Sequence, residues 1–111
     1  MDTVDQLTIA VSLGPDRARV FLCGELDLAT APLLHKHVDD LLAGNGRHRS
    51  LVLVDLAEVS FCDSSGLRAL LDIVDRCQRV GTNVRLTNVP ANIHRVFELT
   101  GTTGLLNIDP Y

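Results

Sequence analysis

An apolar run at residues 51–56 is followed within a few residues by the polar stretch Asp63-Ser64-Ser65-Gly66. The run is rich in Val and Leu and predicts a buried β-strand, while the apolar positions after Gly66 recur at helical spacing. Asp63 or Ser64 can therefore cap the free N–H groups at the start of a helix. Ser64 would lie at the positive end of that helix, where hydroxyl and backbone N–H groups can receive or hold a phosphate. A purely structural role as a helix cap is the alternative interpretation of this tetrapeptide.

Strands and helices are predicted to alternate along the chain. Residues 7–13 and 18–23 are predicted strands joined by a turn at 14–17, which gives a hairpin. Further strands are predicted at 51–56 and 83–87, and residues 105–108 are a candidate final edge strand. Helices are predicted between Thr30 and Gly44, over 65–80, and from Pro90 to Gly101. The order predicts an α/β protein with a mixed sheet, whose inner strands are parallel and joined by right-handed crossovers.

The spacing of apolar residues also predicts which side of each helix faces the core. The predicted inward-facing residues are Leu33, Leu34, Val38, Leu41 and Leu42 in the first helix, Leu67, Leu70, Leu71, Val74 and Cys77 in the second, and Ile93, Val96, Phe97 and Leu99 in the third.

The composition indicates a single domain over residues 1–111. Hydrophobic residues make up 46% of the chain, which is enough for one core. The net charge is −4 and the charges are interspersed, which argues against direct nucleic-acid binding and favours protein or small-molecule partners. No apolar run approaches the ~20 residues that span a bilayer, and no leader segment is recognisable. We therefore expect a cytoplasmic protein without membrane contact.

The three cysteines are Cys23, Cys62 and Cys77. Their odd number, and the lack of Cys-x-x-Cys spacing or paired histidines, indicate neither a disulfide framework nor a metal site. Buried thiols are the simplest expectation. Cys23 and Cys62 each lie at the end of a strand region and form a candidate redox-sensitive pair, provided that they lie close together. No cofactor is expected.

Four segments together resemble the STAS domain of the anti-sigma factor antagonist (anti-anti-sigma factor) family. They are residues 24–27 (Gly-Glu-Leu-Asp), 53–61, 63–67 (Asp-Ser-Ser-Gly-Leu) and 90–101, and they extend over nearly the whole chain. The resemblance implies the STAS fold, with a mixed sheet of four to five strands that opens with a β-hairpin. It also implies three or more helices packed mainly on one face of the sheet.

The resemblance further implies a partner-switching phosphoprotein in transcription regulation, such as a stress response. In this family, the serine after the motif aspartate is phosphorylated by an anti-sigma factor that is also a serine kinase, and the matching residue is Ser64. The unphosphorylated antagonist binds the anti-sigma factor and frees the sigma factor. Phosphorylation blocks binding until a serine phosphatase reverses it. The family's partner-contact surface corresponds here to Leu26, Asp27, Asp63, Ser65, Gly66, Leu67 and Arg68.

Other interpretations remain open for parts of this pattern. Asp27 could simply cap the segment that follows it. A strand, a serine and a helix in sequence are also found in the nucleophile elbow of hydrolases, but the Gly-x-Ser-x-Gly pattern is missing, so we expect no enzyme. A STAS module could instead act as a scaffold or as an accessory subunit of a transporter or signalling assembly, because one fold hosts several functions.

Overall fold

Residues 6–44 and 48–109 are described by the structure, a computed structural model of this chain. They form four strands and three α-helices, followed by one short 3₁₀ helix. The strands are β1 Leu7–Leu13, β2 Arg17–Leu26, β3 Leu51–Cys62 and β4 Asn83–Thr87. The helices are α1 Ala31–Ala43, α2 Ser64–Arg79 and α3 Ala91–Thr100, and the 3₁₀ helix is Thr103–Leu105.

The sheet has the strand order β1-β2-β3-β4. β1 pairs antiparallel with β2, whereas β2, β3 and β4 pair in parallel. A helix connects each parallel pair, α1 between β2 and β3 and α2 between β3 and β4. The predicted α/β class, the opening hairpin and the mixed sheet with three helices are therefore confirmed.

All three helices cover the same face of the sheet. Their buried residues, such as Leu34, Leu70 and Phe97, share one core cluster with the strand residues Val20 and Val54. Right-handed crossovers between parallel strands that advance in one direction place their helices on one side of the sheet. The hydrophobic core therefore lies on one face of the sheet. The prediction of a single domain over 1–111 includes segments outside the described residues and stays a prediction.

The two central strands are longer than the sequence pattern predicts. β3 continues to Cys62 instead of ending at residue 56, and β2 continues to Leu26 instead of ending at residue 23. Two register shifts between β2 and β3 absorb the extra residues of β3 as bulges. As a result Leu26 pairs with Cys62, and the two strands end side by side next to the start of α2.

The prediction that Leu33 and Leu99 face the core is wrong. Leu99 is 74% exposed, because it lies two residues, or about 200° around the helix, from the buried Phe97. Leu33 is 36% exposed, because the buried residues of α1 are its neighbour Leu34 and then Val38. The inward faces of α1 and α3 are thus narrower than their leucine content indicates.

The candidate edge strand at residues 105–108 is also wrong. The 3₁₀ helix Thr103–Leu105 takes up its start, and Ile108 alone forms an isolated parallel bridge to Leu86. The described sheet therefore has four strands rather than five. The second helix is confirmed to within one residue, since it begins at Ser64 and ends at Arg79.

Candidate functional site

The start of α2 is capped by the side chain of Asp63. Asp63 has extended backbone angles, φ −100° and ψ −169°, and its Oδ1 accepts a hydrogen bond of 2.9 Å from the N–H of Gly66. The carbonyl oxygen of Asp63 accepts the first helical bond, from the N–H of Leu67 at 2.9 Å. Of the two residues that could cap this helix by sequence, Asp63 therefore does so.

Ser64 is the first residue of α2, and its side chain is exposed. Among the hydrogen bonds of the described residues, none involves the Ser64 hydroxyl. The hydroxyl therefore lies at the positive end of a helix of 16 residues without a structural task of its own. Because the cap belongs to its neighbour Asp63, a change at Ser64 leaves the helix start intact.

Gly66 holds the start of α2 against the end of β2. It is buried, and a Cβ at this position would lie 2.8 Å from the carbonyl carbon of Leu26 and 3.0 Å from its Cγ. The same Leu26 carbonyl group accepts a hydrogen bond of 3.3 Å from the N–H of Asp63. The helix start is therefore fixed to β2 by a backbone approach that only glycine permits.

Asp27 organises the turn that follows β2. Its Oδ1 accepts hydrogen bonds from the N–H groups of Ala29 at 3.0 Å and Thr30 at 3.1 Å. The Thr30 hydroxyl lies 2.9 Å from the carbonyl oxygen of Glu25, to which it donates. Asp27 thus caps the turn between β2 and α1, and its contact with a partner stays a prediction.

A groove of about 230 Å³ runs between α1 and α2, next to the helix start. Its lining residues are Leu28, Ala31, Pro32, His35, Ser65, Arg68, Ala69 and Asp72. Leu28 is 75% exposed at its edge, and Arg68 is an exposed cation one helical turn beyond Ser64. His35 Nε2 lies 3.6 Å from the Asp72 carboxylate. Sequence reasoning missed Leu28, Pro32, His35 and Asp72, and a large apolar residue in the turn between Asp27 and Thr30 was the one signal for Leu28.

The predicted contact residues divide by burial. Ser64 and Arg68 are exposed and Asp27, Asp63 and Ser65 are partly exposed, whereas Leu26, Gly66 and Leu67 are buried. Leu26 in particular is fully inaccessible, so its side chain cannot touch a partner in this structure. The three buried residues shape the site from beneath, and the five exposed or partly exposed residues form its surface.

The family model described as "Mlab, STAS domain" matches residues 9–107. The chain belongs to the STAS domain family. A protein of Staphylococcus epidermidis named anti-sigma-B factor antagonist is 30% identical over 103 residues, which cover 93% of this STAS domain and 93% of that protein. The intermembrane phospholipid transport system binding protein MlaB of Haemophilus influenzae is 28% identical over 86 residues, covering 78% of this chain and 82% of that one.

Solved structures carry the same fold as this STAS domain. An anti-sigma factor antagonist from Mycobacterium paratuberculosis has a TM-score of 0.82 at 23% identity, covering 100% of this chain and 92% of that one. The Bacillus cell fate determinant SpoIIAA in its phosphorylated form has a TM-score of 0.68 at 18% identity, covering 92% and 91%. The predicted membership in the family is confirmed by the family model and by the antagonist from Staphylococcus epidermidis, and the solved structures confirm the predicted fold.

The STAS domain does not bring the candidate redox pair together. Both thiols are free; Cys23 is exposed, whereas Cys62 is buried among the residues that face the helices. Burial, with a smaller contribution from the Asp63 charge, raises the pKa of Cys62 to about 11, so its reactive thiolate is scarce at neutral pH. The two side chains point to opposite faces of the sheet, and this geometry does not favour a disulfide.

Within residues 6–44 and 48–109, no group of three or more His, Cys, Asp or Glu side chains could hold a metal ion. None of the helices in these ranges has the length and apolar character needed to cross a membrane.

Proposed function

We propose that this STAS domain is an anti-sigma factor antagonist that acts by binding, not by catalysis, and that is switched by phosphorylation of Ser64. Its partner is an anti-sigma factor with serine kinase activity, and a serine phosphatase restores the binding form. The observation that carries the proposal is the exposed Ser64 hydroxyl at the first residue of α2, beside a helix cap that does not use it. The antagonist names of the relatives support the same partner class.

The docking surface begins at the helix start and continues into the groove between α1 and α2. Its apolar edge is Leu28 and its exposed cation is Arg68. Asp63, directly before Ser64, and Asp27, directly after β2, contribute carboxylates, and both residues are partly exposed. A partner that inserts an apolar side chain beside a hydroxyl group would fit this surface.

A phosphate on Ser64 changes the charge of that surface more than its shape. It adds about −1.5 to −2 charges at neutral pH. The positive end of α2 tolerates this charge, and the Asp63 cap bond to Gly66 remains available because it does not involve Ser64. A docked partner would meet an added, desolvated charge, a change that commonly costs about 2–5 kcal/mol of binding free energy. The fold therefore persists while binding is lost.

The test combines binding with phosphopeptide analysis. The purified chain is mixed with candidate anti-sigma kinases with and without ATP and Mg²⁺, and phosphate is located by mass spectrometry. We expect one phosphate on Ser64, followed by release of the kinase. The Ser64→Ala variant should bind but not be released by ATP. The control variant Ser12→Ala, at an exposed serine of β1 outside the docking surface, should be phosphorylated like the wild type. A phosphate elsewhere, or equal affinity of the phosphorylated and unmodified chains, would contradict the switch.

The sigma factor and its regulators act in the cytoplasm, and we place this domain there as part of the proposal. A second candidate function is an accessory component of a lipid transport system. It is favoured by the MlaB relative and by the description of the matching family model. In that case the chain would co-purify with transporter components, and Ser64→Ala and Ser64→Glu would bind them equally well.

A further inference from the structure

β1 lies at the edge of the sheet, and among the described residues no element pairs with its outer side. Hydrogen bonds at the two ends of the hairpin show which of its backbone groups are free. The carbonyl oxygen of Gln6 accepts from the N–H of Glu25, and the N–H of Gly14 donates to the carbonyl oxygen of Arg17. Hydrogen-bonded pairs recur at every second residue of an antiparallel ladder, so the even-numbered residues of β1 bond to β2. The N–H and C=O groups of the odd-numbered residues of Leu7–Leu13 therefore point outward from the edge.

This edge strand has none of the features that usually prevent further pairing. Its seven residues, Leu-Thr-Ile-Ala-Val-Ser-Leu, include no charged residue and no proline, and its register with β2 has no bulge. Natural edge strands are commonly protected by such features, because free backbone groups recruit another strand. A helix satisfies its own backbone groups internally and could not bond to this row. The occupant that fits the edge of β1 is therefore another strand.

Apolar side chains accompany the free backbone groups. Leu7 and Ile9 pack on the core on the helix side of the sheet, and Val11 and Leu13 follow on the same side because side chains alternate along a strand. The helices leave the second pair uncovered, since Val11 is 39% and Leu13 is 60% exposed. The opposite side of β1 carries the small residues Thr8, Ala10 and Ser12.

We propose that the β1 strands of two copies of this chain pair antiparallel around a two-fold axis at Ala10, which joins the two sheets into one continuous sheet. In this register Ile9 of each copy exchanges backbone hydrogen bonds with Val11 of the other, and Leu13 does so with Leu7. The outward backbone groups are then matched over the whole of β1, and the exposed Val11 and Leu13 gain apolar neighbours. One self-complementary edge is used twice, as a two-fold dimer requires.

The small side chains on the opposite side of β1 favour the same register. Thr8 of each copy lies opposite Ser12 of the other, and the two Ala10 residues lie opposite each other at the axis. These are non-hydrogen-bonded pairs, in which the Cα atoms approach to about 4.5 Å, and small side chains permit that approach. Because β1 is uncharged, the two paired strands place no like charges opposite one another.

Charges on β2 indicate that a second copy suits this edge. Straight across the joined sheet, the row that begins at Arg17 continues through Gly14 to Gln6 and Glu25 of the other copy. Arg17 and that Glu25 are three strand spacings, or about 14 Å, apart at their Cα atoms. The two Arg19 residues, by contrast, are roughly 20 Å apart, because their rows are offset by four residues. At low ionic strength this arrangement attracts a second copy.

The short length of β1 limits the strength of this dimer. Seven paired residues extend over about 24 Å. A contact between two such edges buries well under ~1,200 Å² in total, the range of weak and transient interfaces. We therefore expect a dissociation constant on the order of 100 µM, so that the dimer forms at high protein concentration.

Sedimentation velocity tests the pairing. We expect the wild type to show a concentration-dependent dimer. Val11→Lys should raise the dissociation constant by about tenfold or more, because it removes an apolar contact and places two lysines near the axis. Leu99→Lys, which adds the same charge at a 74% exposed apolar residue of α3, is the matched control and should behave like the wild type.

Disulfide formation tests the register independently. In a Cys23→Ser background, where the remaining cysteines are buried, Ala10→Cys places two thiols at the axis. Their Cα separation of about 4.5 Å lies within the range of a disulfide, so oxidised glutathione should link the dimer. Thr8→Cys is the control, because the two copies of residue 8 are offset by four residues, or about 14 Å, along the strands. A mixture of Thr8→Cys and Ser12→Cys chains should link.

A monomer at every concentration up to about 1 mM would overturn the proposal. So would a dimer that Val11→Lys leaves intact, one that Leu99→Lys weakens equally, or linkage of Thr8→Cys chains as readily as of Ala10→Cys chains. If Ala10→Cys fails to fold, the mixture of Thr8→Cys and Ser12→Cys chains tests the same register. None of these readouts depends on Ser64, so this inference and the proposed function succeed or fail separately.

Discussion

Replacing Gly66 with Ala tests how tightly the start of α2 is held against the end of β2. The added Cβ would lie 2.8 Å from the carbonyl carbon of Leu26 and 3.0 Å from its Cγ, and closer still to the carbonyl oxygen. Optimal separations between carbon atoms are about 3.5–4.0 Å, so one of the two segments must move by roughly 1 Å. Backbone atoms make up most of this contact, so a side-chain rotation cannot relieve it.

Opposing effects determine how much Gly66→Ala changes the free energy of unfolding. Ala is better than Gly within a helix by about 1 kcal/mol. Overpacking costs about 1–3 kcal/mol. The displacement also weakens two hydrogen bonds, from Asp63 N–H to Leu26 at 3.3 Å and from Gly66 N–H to Asp63 at 2.9 Å. Each contributes about 0.5–1.5 kcal/mol. We expect a net loss of about 2 kcal/mol, which lowers Tm by roughly 8 °C in a domain of this size.

Urea unfolding and calorimetry measure this loss directly. Gly104→Ala is the matched control, because a Cβ at residue 104 meets nothing within 4 Å. We expect the control to stay within about 0.5 kcal/mol of the wild type. A Gly66→Ala protein as stable as the wild type would refute the reasoning, since it would mean that the helix start can move away from Leu26 at no cost.

Two further predictions concern titratable groups. A thiol reagent at pH 8 should modify one cysteine quickly in the folded chain, Cys23, because burial raises the pKa of Cys62 and of Cys77 to about 11; a second fast thiol would contradict this burial. The Ser50 hydroxyl donates a hydrogen bond of 2.6 Å to the Asp16 carboxylate and lowers the pKa of Asp16 below its ordinary 3.8. Since the folded pKa is the lower one, this bond stabilises the fold above about pH 4 and is lost as the pH falls through the folded pKa. Ser50→Ala should raise the pKa of Asp16 in an NMR titration, and an unchanged value would contradict the assignment.

Local signals in the sequence were sufficient for much of this fold. β1 and β4 have the predicted bounds, because alternation and flanking turn residues define short strands well. The helix start at Asp63 was predictable as well, since a capping residue directly before an apolar helical pattern has few other uses.

Other features depend on contacts that a single segment does not encode. The bulges that lengthen β3 arise from its pairing with β2, and periodicity within either strand carries no sign of them. The family resemblance assigned Leu26 to the partner-contact surface. Its side chain is nevertheless inaccessible, because α2 packs over the end of β2. Leu28 lies two residues after Leu26, in the turn that follows β2, and its side chain is exposed there.

The cap of α2 and the hydroxyl proposed to be phosphorylated belong to two different residues, Asp63 and Ser64. Because Asp63 caps the helix and the Ser64 hydroxyl takes no part in the cap, the proposed transfer of phosphate to Ser64 would leave the backbone unchanged. The two forms of such a domain would differ in charge and not in conformation, so a kinase and a phosphatase would bind the same backbone structure. The output of a population of these molecules would then follow the modified fraction in direct proportion, at a speed set by the two enzymes alone.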